Sequence, residues 1–203
     1  MELKYDAVDY LKKQTEPWIQ YQMSKHLGAG LKEQEEKKQK LLLHPKVIEM
    51  INDISKWPEP PLVRHSDAWH PVHIMQVLLD MGFSRNDSFI NEAAEKILKH
   101  QDKSGVLLSL LNIPESYGGT GVPTMGWMNC DFPVLLYILL RLGMEKDSRV
   151  KAALDFLIEN AFENGWRCDG SFKKFRGPGR KEDYCPISTA LCSKGMLVCS
   201  FSS

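Results

Sequence analysis

The sequence predicts an all-α protein built of helical hairpins, and three observations carry that prediction. Apolar residues recur at helical spacing through most of the chain, strand signals are nearly absent, and one helix–turn–helix unit occurs twice. LLDMG followed by NDSFINEAAEKIL is matched by LLRLG followed by DSRVKAALDFLIE. Gly82 and Gly143 lie 61 residues apart (143 − 82), and Gly105 and Gly165 lie 60 apart (165 − 105). Each unit is an inner helix, a Gly turn, an outer helix and a long loop. A chain of such units closes into a partial α/α toroid or runs on as a solenoid.

The elements follow in order. TEPWIQYQMSKHLG and HPKVIEMINDISKWP predict helices with Pro17 and Pro45 near their starts, where a missing N–H does no harm. Between them KEQEEKKQK places Glu33–Lys37 and Glu36–Lys40 one turn apart, pairs worth a few tenths of a kcal/mol each, and reads as a solvated helix face. Pro71 to Met81 and Pro133 to Leu142 are apolar nearly all round and predict inner helices. Asn86 to Gln101 gathers Phe89, Ile90, Ala93, Ala94, Ile97 and Leu98 on one stripe, and Asp147 to Ala161 does the same with Val150, Ala153, Leu154, Leu157 and Ile158. Both predict outer helices, while Gly82 and Gly143 suit the left-handed residue that ends an inner one. VLLSLL at 106–111 is a weak strand signal, and SYGGTGVPTMGW at 116–127, lacking GK[ST], reads as a long connection of the length that forms a lid or a site wall. A third unit opens at Pro186 with CPISTALCSKGMLV and has no outer helix after it. Either a second copy of the chain completes that pair, giving a homodimer, or the chain is a truncated member of its kind. The expected division is an N-terminal helical segment over 1–60 and the repeat region over 61–203.

Composition narrows the function classes. The 203 residues, 43% hydrophobic, suffice for a real core. Lys plus Arg (26) equals Asp plus Glu (26), so no global field draws the protein onto nucleic acid or an anionic membrane. No apolar run approaches a membrane span, and MELKYDAVDYLKKQ has no signal-peptide core, so the expected location is the cytoplasm. Five cysteines, an odd count, then favour free thiols or metal ligands over disulfides.

Gln101-Asp-Lys-Ser-Gly105, followed by Val106 and Leu107, and Asn164-Gly165-Trp166 sit in the loops after the outer helices. They resemble degenerate forms of the Q-x(2–5)-G-x-W loop motif of the squalene cyclase and protein prenyltransferase superfamily, over about residues 65 to 200. The front, PWIQYQMSKHLG, resembles a HEAT-like hairpin, and the whole is similar to uncharacterised bacterial proteins with prenyltransferase/squalene-oxidase repeats. The resemblance implies an α/α toroid. It also implies a lipophilic or isoprenoid-like substrate and, as in the prenyltransferases, a zinc held by Asp, Cys and His at the barrel mouth. The chain has no DxDD or DCTAE acid, which argues against classical terpene cyclisation, and its Cys and His lack the prenyltransferase spacing. Fold analogy alone assigns no activity.

In a toroid the loops before the inner helices converge at one mouth. Those loops carry His70, Cys130 with Asp131, Cys168 with Asp169, and Cys185. Zinc takes S, N and O ligands tetrahedrally, so Cys130, Cys168, Cys185 and His70 are the candidate metal set. A helix N-terminus also lowers a thiol's pKa, so Cys130, Asp131, Cys168 and Asp169 are equally the candidate catalytic set. Plain packing is the third reading, because buried Cys serves as a small hydrophobe. Spacings of 38 (168 − 130) and 17 (185 − 168) fit no zinc finger, and Cys192 and Cys199, in the apolar last helix, are expected to pack.

Trp69, Trp127 and Trp166 are candidate substrate-binding aromatics, or else loop packing. KKFRGPGRK concentrates Lys173, Lys174, Arg176, Arg180 and Lys181 around a Gly-Pro-Gly turn, a solvated loop or a clamp for a diphosphate or acidic partner. The expected function is thus a ligand-binding or catalytic site at the mouth. The alternatives are a helical-repeat module that docks a protein partner and an inactive fragment.

Overall fold

The structure is a computed structural model that describes residues 6–175 and 183–200. Among the described residues it is mostly helical: α1 Ala7–Lys12, α2 Pro17–His26, α3 Leu31–Leu42, α4 Pro45–Ser55, α5 Pro71–Asp80, α6 Ser88–Lys99, α7 Phe132–Arg141, α8 Ser148–Glu159 and α9 Pro186–Ser200. Pro17, Pro45, Pro71, Pro133 and Pro186 all fall in first turns. Gly82 (φ 101°) and Gly143 (φ 70°) take the left-handed conformation just beyond α5 and α7. Only α1 is absent from the sequence expectation. Its six residues are too few to show a periodic stripe, and it starts on Asp6, whose carboxylate accepts from the N–H groups of Val8 and Asp9.

The weak strand signal is real. β1, Ser109–Leu111, pairs antiparallel with β2, Thr124–Gly126, and Leu62 bridges to Leu111 on the other side. The Gly-rich connection therefore contributes a strand of its own. Three residues ending on a glycine carry too little alternation to announce one.

α5, α7 and α9 lie in sequence beside one another, α6 packs on α4 and α7, and α8 packs on α7. α2 and α3 form the front hairpin, and α4 packs along α5. Eight of the ten residues of α7 are buried, as its uniform apolarity requires. One continuous core runs from Tyr21 and Leu41 through α5 to α8 and on to Cys192. The charged stretch on α3 is less detached than a solvated face. Glu33 and Lys37 do pair at 2.7 Å, but Lys38 reaches the buried Asp87 at 2.5 Å and Leu41 enters the core. Asp80 and Arg141 join α5 to α7 at 2.5 Å.

The loops after the outer helices tie neighbouring units together. Gln101 Nε2 donates to Gly105 O at 2.6 Å and to Arg149 O at 2.7 Å, so one amide closes its own turn and grips the start of α8. Gly105 has φ 92°, and a Cβ there would lie 2.7 Å from Ala152 O. Gly165, φ 117°, is pressed in the same way against Thr189 of α9. Trp166 Nε1 donates to Leu157 O at 3.0 Å.

Gly105→Ala has both a left-handed conformation and a backbone clash to absorb. Roughly 1–3 kcal/mol of destabilisation is expected from the conformation alone, read by thermal or urea unfolding. Gly195→Ala, inside α9 with only Pro133 O at 3.9 Å from the new Cβ, is expected to stabilise by about 0.5–1 kcal/mol. Equal effects of the two changes would contradict this account of the loops.

Candidate thiol site

Three segments lie side by side next to the starts of α7 and α9. Met128 bridges to Gly170, Asn129 N–H donates to Asp169 O at 2.9 Å, and Asn129 Nδ2 donates to Arg167 O at 3.0 Å. Arg167 bridges in turn to Tyr184, and Cys185 N–H donates to Trp166 O at 2.9 Å. Gly170 is required for this closeness, since a Cβ there would overlap Trp127 O. Each segment brings one thiol: Cys130, Cys168 and Cys185, all half-buried and all free.

The three thiols are neighbours but not equivalent. Burial pushes the Cys130 thiol far up, and the charges of Asp131, Cys168 and Cys185 add to it. Burial also raises Cys168, to about 11, with the charge on Cys185 second. Cys185 is opposite in sign. Burial pushes it up, but hydrogen bonds from the Ser188 hydroxyl, from the N–H groups of Ser188 and Ile187 and from the Cys168 thiol outweigh that and lower it. The Ser188 N–H lies 3.5 Å from Cys185 Sγ. Cys185 thus stands at the head of a 15-residue helix, whose free N–H groups and dipole favour a thiolate.

Asp131, 2% exposed at the start of α7, lies 4.0 Å from Cys130 Sγ through Oδ1, while Oδ2 has no partner. Burial drives its carboxyl up to about 7, against hydrogen bonds from Ser109 and from backbone at Met128, Asp131 and Phe132. Unpartnered buried atoms cluster here: Asn129 Oδ1, Asp131 Oδ2 and Arg167 Nε. Such groups are costly unless something else satisfies them. Asn129, Arg167, Ser109 and Ser188 are functional candidates that the sequence reading missed. Ser188 was findable, because Cys-Pro-Ile-Ser sets a hydroxyl three residues after a thiol at a helix start. The others depend on how the loops fold back.

Other expected site residues take different roles. His70 is buried at the start of α5, with Nε2 2.9 Å from Pro60 O and Nδ1 accepting from Val72 N–H at 3.4 Å. Its ring packs edge-on against Trp57, and burial lowers its pKa, so in this structure it anchors the loop before α5. Trp127 packs between Phe132 and Phe156, and Trp166 is buried. Both hold loops in place. Trp69 is 75% exposed in a separate groove of about 210 Å³ beside α4, lined by Lys46, Glu49, Met50, Asp53 and Ile74. Asp169 is exposed and accepts from Gly170 N–H at 2.8 Å, which holds its own turn. Lys173 is exposed, and Arg176 and Arg180 lie outside the described residues, as does the side chain of Cys199. Cys192 is fully buried, and its thiol is pushed up to about 12, as a packing residue should be.

No three His, Cys, Asp or Glu side chains among the described residues are grouped to hold a metal ion. The expected zinc set is separated by His70, whose two ring nitrogens are both engaged. No helix among them is long and apolar enough to cross a membrane. Comparison with protein-family models, with curated proteins and with solved structures finds no match.

Asp131 gives this site a pH signature. Its folded-state pKa lies above the unfolded value, so its contribution to stability is intact below about pH 4 and is lost as pH rises towards 7. Asp131→Asn should remove that fall and leave the protein more stable at pH 8, by about 4 kcal/mol at most. Urea unfolding at pH 5 and pH 8 checks it. A variant less stable than the parent at pH 8 would contradict the assignment.

Proposed function

We propose that this chain is a toroid-type helical protein with a thiol site at its mouth, where Cys185 is the nucleophile towards a lipophilic ligand with a soft electrophilic centre. The observation that carries this is the Cys185 sulfur at the head of α9, receiving hydrogen bonds from the helix start and from Cys168. The toroid reading is supported by the row α5, α7, α9 with α6 and α8 packed against it, and by the two helix starts that share the site. The lipophilic ligand is supported by exposed apolar side chains: Phe162 and Tyr184, whose rings meet, and Ile187, with Tyr184 next to Cys185 in the chain and Ile187 two residues beyond it. Arg167 lies 4.2 Å over the Phe162 ring, which could orient an anionic group on the ligand.

The same side chains are what a protein partner or a second copy would cover, and this is the second reading. N-alkylmaleimides of increasing chain length separate the two. Under the first reading Cys185 is alkylated at least about tenfold faster than Cys130 at pH 7. Longer chains should react severalfold faster, and Phe162→Ser together with Tyr184→Ser should abolish that gain. Labelling of Cys185 no faster than of Cys130 would sink the nucleophile assignment. Fast labelling with no chain-length effect would favour these side chains as a protein interface.

A further inference from the structure

Cys168 and Cys185 are not merely two thiols in one loop cluster. The antiparallel bridge between Arg167 and Tyr184 sets the next residue on each segment, Cys168 and Cys185, on a diagonal of the same face. Diagonal neighbours stand about 7–8 Å apart at Cα and closer at the side chains. Each of the two sulfurs is felt at the other, as the diagonal placement requires. A disulfide needs Cα atoms about 1 Å nearer than that diagonal, a movement that a loop held by single hydrogen bonds can make. Ser188, whose N–H lies 3.5 Å from Cys185 Sγ, bears on the same sulfur.

We propose that Cys168 and Cys185 are a redox dithiol that reduces disulfides, with Cys185 as the attacking thiol and Cys168 as the resolving one. This rests on the reading of Cys185 as a nucleophile and names its substrate class. The Cys185 thiolate forms a bond to one sulfur of the substrate disulfide. The substrate S–S bond breaks, and its other sulfur leaves with the bonding pair as a thiolate. Cys168 then loses its proton to solvent, and its sulfur attacks Cys185 Sγ. The mixed disulfide breaks and the second substrate sulfur leaves as a thiolate. The two cysteines lose two electrons and two protons, and the substrate disulfide gains them. A small-molecule thiol in excess returns the protein to the dithiol by the reverse exchange.

The two partners divide these tasks by position. Cys185, at the helix head and beside the exposed Tyr184, meets the substrate first. Cys168 keeps its proton until the mixed disulfide has removed the charge on Cys185, since that charge holds it up. Cys130, deeper and beside the Asp131 carboxyl, stays a thiol throughout.

The test uses the full chain, reduced and then mixed with oxidised glutathione, quenched in acid and mapped by peptide mass spectrometry. The wild type should give a Cys168–Cys185 disulfide and two glutathione molecules released per chain, reversed by excess reduced glutathione. Cys168→Ser should lose that disulfide and accumulate glutathione on Cys185 instead. Cys130→Ser should behave as wild type. Circular dichroism checks that each variant is folded. If the wild type also stops at the Cys185 adduct, or if the disulfide maps to Cys130, the dithiol is overturned while the nucleophile stands. If Cys185 takes no glutathione in Cys168→Ser, the nucleophile falls as well.

Discussion

The enclosure of α7 is the constraint on which the rest depends. A helix apolar on every side must be covered on every side, and α5, α6, α8 and α9 do so. Covering its flanks also covers its N-terminal end. The polar groups that open any helix therefore end up away from water: the backbone N–H groups of the first turn, Asp131 and the neighbouring Asn129. Two further loops must pass over that end to seal it, and these are the ones that bring Arg167, Cys168 and Cys185. The site is in this sense a by-product of packing. Its chemistry comes from the few polar atoms that the seal leaves unmatched.

Much of the fold could be read from the chain. The prolines of the first turns, the left-handed glycines Gly82 and Gly143, and the stripes of α6 and α8 are local features, and local features survive in sequence. The convergence of Cys130, Cys168 and Cys185 was also legible, because the repeat places all three near inner-helix starts. What escaped was non-local or too short. β2 has three residues, and α1 has six. His70 lies in a loop before an inner helix, where a mouth ligand is expected, but Pro60 O engages its ring, and no pattern in the sequence announces that. The three tryptophans looked alike as binding aromatics. Packing divides them into Trp127, partly buried against Phe132 and Phe156, the buried Trp166, and an exposed Trp69 in a groove elsewhere.

The three thiols show how small differences in setting separate one residue type into distinct chemical characters. Desolvation acts on all of them in the same direction. Only Cys185 stands where helix N–H groups, a hydroxyl and another thiol converge, and there the sum changes sign. Cys168 is the necessary counterpart, since a thiol that donates to a thiolate is itself held protonated. Moving either by one residue would turn its side chain off the shared face of the bridge and dissolve the pair.

Gln101 divides its amide hydrogens between its own turn and the start of α8. Stability in a repeat protein is approximately a sum of intrinsic unit stabilities and nearest-neighbour couplings. A side chain that satisfies both backbones at once belongs to the coupling. That bond ties the loop after α6 to the start of α8, so opening of either helix is felt at the other.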